Sequence, residues 1–179
     1  SSSAQAPPSY VPAYATVPAP SVATSIRDWR ALRQSNNYRF ADYARFLIAN
    51  PGWPDDARMR RWAEKAMQPG ENAATVLAFY AADKPDTGNG WARLADAYAA
   101  SGRMTEALTT AQNAWASPDL SGTDEQAIWA RYGGSFSRAD HDRRVDALLF
   151  AKRADDAARF LPMPSPQRQA ACGARTAMP

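Results

Sequence analysis

Along most of the chain apolar residues recur every three or four positions, the spacing that lines one side of a helix. "YRFADYARFLIAN" (38–50) sets Phe40, Tyr43, Phe46 and Leu47 in one stripe. The stripe stops at "NPGWP", where Pro51 and Pro54 forbid continuation and Pro54 suits an early position of the next helix. "DDARMRRWAEKAM" (55–67) carries Ala57, Met59, Trp62 and Ala66 at helical spacing until "PGE" (69–71) breaks it. A third helix over "NAATVLAFYAAD" (72–83) ends at Lys84, Pro85 and Gly88. "GWARLADAYAASGRMTEALTTAQNAWASP" (90–118) reads as helix, turn, helix, with Gly102 at the turn. "SGTDEQAIWARYG" (121–133), "SRADHDRRVDALLFAK" (137–152), "ADDAARFL" (154–161) and "SPQRQAACGARTAM" (165–178) extend the series, and period-two strand patterning is absent. Short amphipathic helices with short connections predict an all-α superhelix, or solenoid, of stacked antiparallel helix pairs.

Residues 1–25 stand apart. "SSSAQAPPSYVPAYATVPAPSVATS" is rich in Pro, Ala and Ser, almost uncharged and without periodicity, which predicts a disordered tail leaning to polyproline II. The helical domain is therefore expected over 26–179, truncated at its C-terminal end. The chain has 179 residues, 45% of them hydrophobic and 22% charged, enough for one domain with a core. A net charge of +3, with acidic and basic residues interspersed, argues against a nucleic-acid partner, despite a pI near 9.2. No apolar run is long enough to span a membrane. One cysteine, Cys172, excludes an internal disulfide, and one histidine and one cysteine cannot assemble a metal cluster. The chain opens on Ser with no basic and apolar leader, as expected for a protein whose signal was removed or for a piece of a longer one.

The segment from Trp91 resembles a tetratricopeptide repeat. Trp91, Leu94, Ala95 and Tyr98 take the first-helix positions, Ala107, Ala111 and Ala114 the second, and Pro118 closes the unit. Small alanines let two helices approach while large residues fill the space between successive pairs. A longer resemblance runs from Phe40 over roughly 140 residues. "FADYARFLIANPGWPDDARMRRW", "VLAFYAADKPD", "ASGRMTEALTTAQNAWASPDLSGTDEQAIWARYG" and "FSRADHDRRVDALLFAKRADDAARFLPMPSPQRQAACGARTAM" resemble, in order, the N-terminal superhelical domain of soluble lytic murein transglycosylases. The last block carries the most specific match: Asp140, His141, Arg144, Asp146, Leu148, Leu149, Phe150, Ala158, Arg159, Leu161 and Pro162. Phe150 stands where the family commonly has Trp, Lys152 and Arg153 replace a small turn, and Cys172 replaces an apolar residue. In the family this domain precedes a lysozyme-like domain with a catalytic Glu in a Glu-Ser motif ahead of a Gly-Leu-Met-Gln stretch. This chain holds neither.

The candidate site residues read accordingly. A glycan-cleaving acid needs a carboxyl of raised pKa in a cleft. Glu71 and Glu125 sit in first helical turns, where the helix dipole favours an anion; Glu106 follows the Gly102 turn and Glu64 precedes Lys65 on an exposed face. None is assigned a catalytic role. Trp53, Trp62, Trp91, Trp115 and Trp129 have the chemistry to stack on sugars, yet their helical spacing favours inter-helix packing. Arg58, Arg60 and Arg61 read as a solvated face rather than a surface for anionic polymers. Ser137 and Asp140 have capping-box spacing, so a helix starts there, and His141, Val145 and Leu148 fall on its apolar side. That makes His141 a packed, neutral, hydrogen-bonded residue rather than an acid or base. No catalytic, cofactor-binding or metal-binding residue is expected in this chain.

The resemblance implies a non-catalytic segment of a periplasmic enzyme that cleaves the MurNAc–GlcNAc bonds of peptidoglycan to 1,6-anhydro-MurNAc ends, with the helices helping position glycan strands. The alternative is a tetratricopeptide-like scaffold that docks a protein on its concave face and catalyses nothing.

Overall fold

The computed structural model describes residues 20–160, and within them the chain is all-helical, without a strand. The predicted tail up to residue 19, and the predicted helix over 165–178 with Cys172, lie outside the described residues.

Helix α1 (Val22–Leu32) begins inside the stretch whose composition reads as tail. Ser21 starts it: its side-chain oxygen accepts from the Thr24 N–H at 3.2 Å, satisfying one of the donors every helix start leaves free. Trp29 fastens α1 to a turn 25 residues along the chain, its indole N–H donating to the Pro54 carbonyl at 2.7 Å.

Helices α2 (Phe40–Ala49) and α3 (Asp56–Ala66) form where the stripes predict them. The chain reverses between them through two left-handed residues, Gly52 (φ 78°) and Asp55 (φ 66°). Asp is among the few side chains that tolerate this region. Its carboxylate is drawn by Arg58 at 3.4 Å and Arg33 at 3.7 Å. Helix α4 (Ala73–Phe79), capped by Asn72, is shorter than the predicted 72–83 and stops with Tyr80 as its cap.

Helices α5 (Gly88–Ala100) and α6 (Met104–Trp115) form the hairpin expected around Gly102, which takes φ 74°. Ala92, Ala95, Ala107, Ala111 and Ala114 are all buried, so backbone meets backbone with little between. Helix α7 (Gly122–Tyr132), capped by Ser121, runs into a 3-10 turn (Gly133–Ser135) and then α8 (Arg138–Phe160).

Helix α8 departs from expectation twice. It is one helix of 23 residues rather than two, because nothing between 138 and 160 is Gly or Pro and Arg153 continues the turn. The face predicted to be inward is also open beyond its first turn: Val145 and Leu148 are exposed, as are Leu149 and Phe150 beside them, Phe150 by 76%.

Two buried clusters hold the fold. The first joins Leu32, Phe40, Tyr43, Phe46, Leu47, Met59, Met67, Val76 and Phe79. The second joins the alanines of α5 and α6 to Trp115, Ile128 and Tyr132. Trp91 and Tyr98, on α5, pack against both. No helix among the described residues is long and apolar enough to cross a membrane.

Candidate functional site

The glutamates fall into caps and ion pairs. Glu64, expected on an exposed face, is instead 5% exposed. It accepts from the Tyr80 hydroxyl at 2.7 Å and from the Asp86 N–H at 3.0 Å, which ties α3 to the segment after α4. Burial first, and then the neighbouring carboxylate, push the Tyr80 phenol far above its ordinary pKa, so it remains a donor. Glu71 accepts from the Gln68 N–H at 2.9 Å, just ahead of the α4 cap rather than in its first turn. Glu106 pairs with Arg103 at 3.2 Å; its own backbone N–H first, and then that arginine, hold its carboxyl below the usual range. Glu125 lies in the first turn of α7 and pairs with Arg144 at 3.1 Å. Each of the four is thus engaged by a neighbouring group: Glu64 by a phenol and an amide, Glu71 by an amide, and Glu106 and Glu125 by arginines.

A hollow of about 730 Å³ opens between α3, α5 and α7, lined in part by Arg61, Glu64, Asp86, Arg93 and Asp124. Its buried charges already serve one another. Arg93 reaches Asp124 at 2.5 Å and Asp96 at 3.1 Å, and Asp119 accepts from the Gly88 N–H at 2.9 Å. No group of three or more His, Cys, Asp or Glu among the described residues is arranged to hold a metal ion.

An open aromatic surface lies where α6, α7 and α8 meet. Trp115 and Trp129 stack with ring centroids 5.6 Å apart and planes 24° from parallel. His141 stands edge-on to Trp115 at 6.1 Å and tilted against Trp129 at 5.7 Å, with Phe136 at 6.3 Å from the imidazole. Trp115 is buried, but Trp129 is 51% exposed. A shallow hollow of about 370 Å³ is walled by Trp115, Glu125, Gln126, Trp129 and His141. The rim is electrostatically closed: Arg144 lies over Trp115 at 4.2 Å, pairs with Glu125 and donates to the Trp115 carbonyl at 2.8 Å.

The start of α8 is fixed as the Ser137–Asp140 spacing predicts. Asp140 accepts from the Ser137 N–H at 2.8 Å while Ser137 accepts from the Asp140 N–H at 3.3 Å. The Ser137 amide, first among its partners, lowers the Asp140 pKa. Gln112 of α6 also reaches Asp140, at 3.2 Å. His141 is half-buried, and aromatic rings position it.

Of the tryptophans singled out by spacing, Trp53, Trp62 and Trp91 pack on the first cluster and Trp115 lies in the second. Trp129 does not belong with them. Arg58 and Arg60 are half-buried: Arg58 donates to the Arg33 carbonyl at 3.1 Å, and Arg60 to the Phe79 carbonyl at 3.1 Å while lying over the Phe79 ring. Arg61 alone of the three is exposed. One position escaped notice in the sequence: Gly133. A Cβ there would fall 2.7 Å from the Trp129 ring, so the indole lies on the bare glycine one helical turn on. The signal was present as an aromatic four residues before a glycine.

No family model, curated protein or solved structure matches this chain.

Proposed function

We propose that this chain is the non-catalytic helical segment of a peptidoglycan lytic transglycosylase, exported to the periplasm, where it helps position glycan strands. In the complete enzyme its helix pairs stack into a superhelix, and the cleavage of MurNAc–GlcNAc bonds belongs to a separate lysozyme-like domain. One observation carries the reading. Within the described residues, the four sequence blocks that resemble the family's superhelical domain fall on α2 and α3, on α4, on α6 and α7, and on α8, with α5 lying between the second and third blocks and chain reversals at Gly52 and Gly102. The glutamates add support, since each is engaged in a cap, an ion pair or a buried hydrogen bond.

The alternative, a tetratricopeptide-like scaffold for a protein partner, draws on the α5–α6 hairpin and its alanine interface. Two measurements separate them. The coding sequence downstream of Pro179 is expected to encode a Glu-Ser pair followed by Gly-Leu-Met-Gln; a frame lacking both favours the scaffold. Incubated with purified sacculi, the chain is expected to co-sediment with them and to release no anhydro-muropeptides. Release of such products would overturn the non-catalytic assignment.

A further inference from the structure

We propose that the Trp115–Trp129–His141 surface is a stacking platform for one neutral N-acetylamino-sugar ring of a glycan strand. The proposal rests on the glycan reading above and adds the place of contact and the ring it takes.

Three observations converge. The first is exposure: Trp129 leaves half its surface in water although a buried indole stacks behind it and an imidazole stands at its side. A large aromatic backed by rigid rings offers a flat apolar face at little entropic cost, suited to the axial C–H groups of a pyranose. Gln126 and Glu125 on the same rim offer an amide and carboxylate oxygens to hydroxyl or acetamido N–H groups.

The second is Gly133. Its φ of −55° and ψ of −36° are ordinary helical values that any residue adopts, so the backbone does not call for glycine. What the missing side chain provides is room: a methyl would meet Trp129 Cε3 at 2.7 Å and Cδ2 at 2.8 Å. The glycine thus sets where the indole lies.

The third observation selects the ligand's charge. An aromatic surface beside a carboxylate suits a cation, but that place is filled from within. Arg144 sits over Trp115 and neutralises Glu125. A cationic ligand would meet a guanidinium, whereas a neutral sugar ring meets no such repulsion.

The test titrates the folded chain with chitohexaose, following intrinsic tryptophan fluorescence. The expected result is a saturable change with wild type and at least about a tenfold loss of affinity in Trp129→Ala, about 1.4 kcal/mol. Gly133→Ala keeps the indole but displaces it, and is expected to weaken binding with circular dichroism and melting temperature little changed. This variant decides the question if Trp129→Ala unfolds. Absence of a saturable response in wild type, unchanged affinity in both variants, or saturable binding of tetramethylammonium instead of chitohexaose each overturns the platform. Co-sedimentation with sacculi distinguishes the two levels. Sacculi bound equally by wild type and Trp129→Ala, with no chitohexaose response, overturns the platform alone, whereas wild type that fails to bind sacculi overturns the positioning role.

Discussion

Gly90 is the residue at which local preference and packing disagree most. It sits within α5, where helix propensity favours alanine by about 1 kcal/mol. A Cβ there would lie 2.3 Å from Glu64 Oε1 and 2.7 Å from the Tyr80 hydroxyl, inside the buried hydrogen bond that joins α3 to the end of α4. Gly90→Ala is therefore expected to destabilise the fold by about 1–3 kcal/mol, measured by urea unfolding. A stabilised variant would show that the Glu64–Tyr80 contact yields freely. None of this was legible in the sequence, where Glu64 next to Lys65 suggested water and only the tertiary approach of Tyr80 and Asp86 buries it. Asp140 was legible, because its partner Ser137 is three residues away and helix capping is local. Its lowered pKa means that its contribution to stability is present above the ordinary carboxylate value of 3.8 and is lost as pH falls through the lower folded value. The stability difference between wild type and Asp140→Asn should thus be largest near neutrality and shrink below about pH 4. A difference that grows on acidification would contradict the assignment.

At the scale of elements, the apolar stripes located α2, α3 and the α5–α6 hairpin, because Pro, Gly and three- to four-residue spacing act over one or two turns. Boundaries that depend on distant partners were not visible. The start of α1 hides in a low-complexity stretch, and its Trp29 is held by the carbonyl of Pro54, far along the chain. The exposed side of α8 was misread for the same reason. Periodicity shows that Val145 and Leu148 share a side but not whether another helix covers it. Two phenylalanines make the contrast measurable. Phe79, 1% exposed and edge-on to Phe40 with centroids 5.2 Å apart, should cost about 3–5 kcal/mol when changed to Ala. Phe150→Ala should change stability by less than about 0.5 kcal/mol. A large loss at Phe150 would mean that its side chain is covered in solution.

Across the whole molecule, helix α5 is the member both clusters share, through Trp91 and Tyr98. These two side chains lie where the two buried clusters meet. Trp91→Ala is therefore expected to broaden the urea transition or split it in two, with the α1–α4 side and the α6–α8 side losing structure separately. A single sharp transition merely shifted to lower urea would count against this coupling. The all-helical class was legible throughout, because each helix carries its own stripe. The meeting of Trp115, Trp129 and His141 was not, since they come from three helices whose relative placement only packing decides. That junction also holds the start of α8. Among the described residues, every hydrogen bond or ion pair from α8 to another helix is made between Asp140 and Arg144. The stretch from Val145 to Phe160 extends about 24 Å beyond these contacts. By helix geometry alone, a tilt of about ten degrees at this end of α8 would carry its far end by about 4 Å. A spectroscopic pair with one probe at position 152 and another on α5 would read small rearrangements around Trp129 as a change in distance.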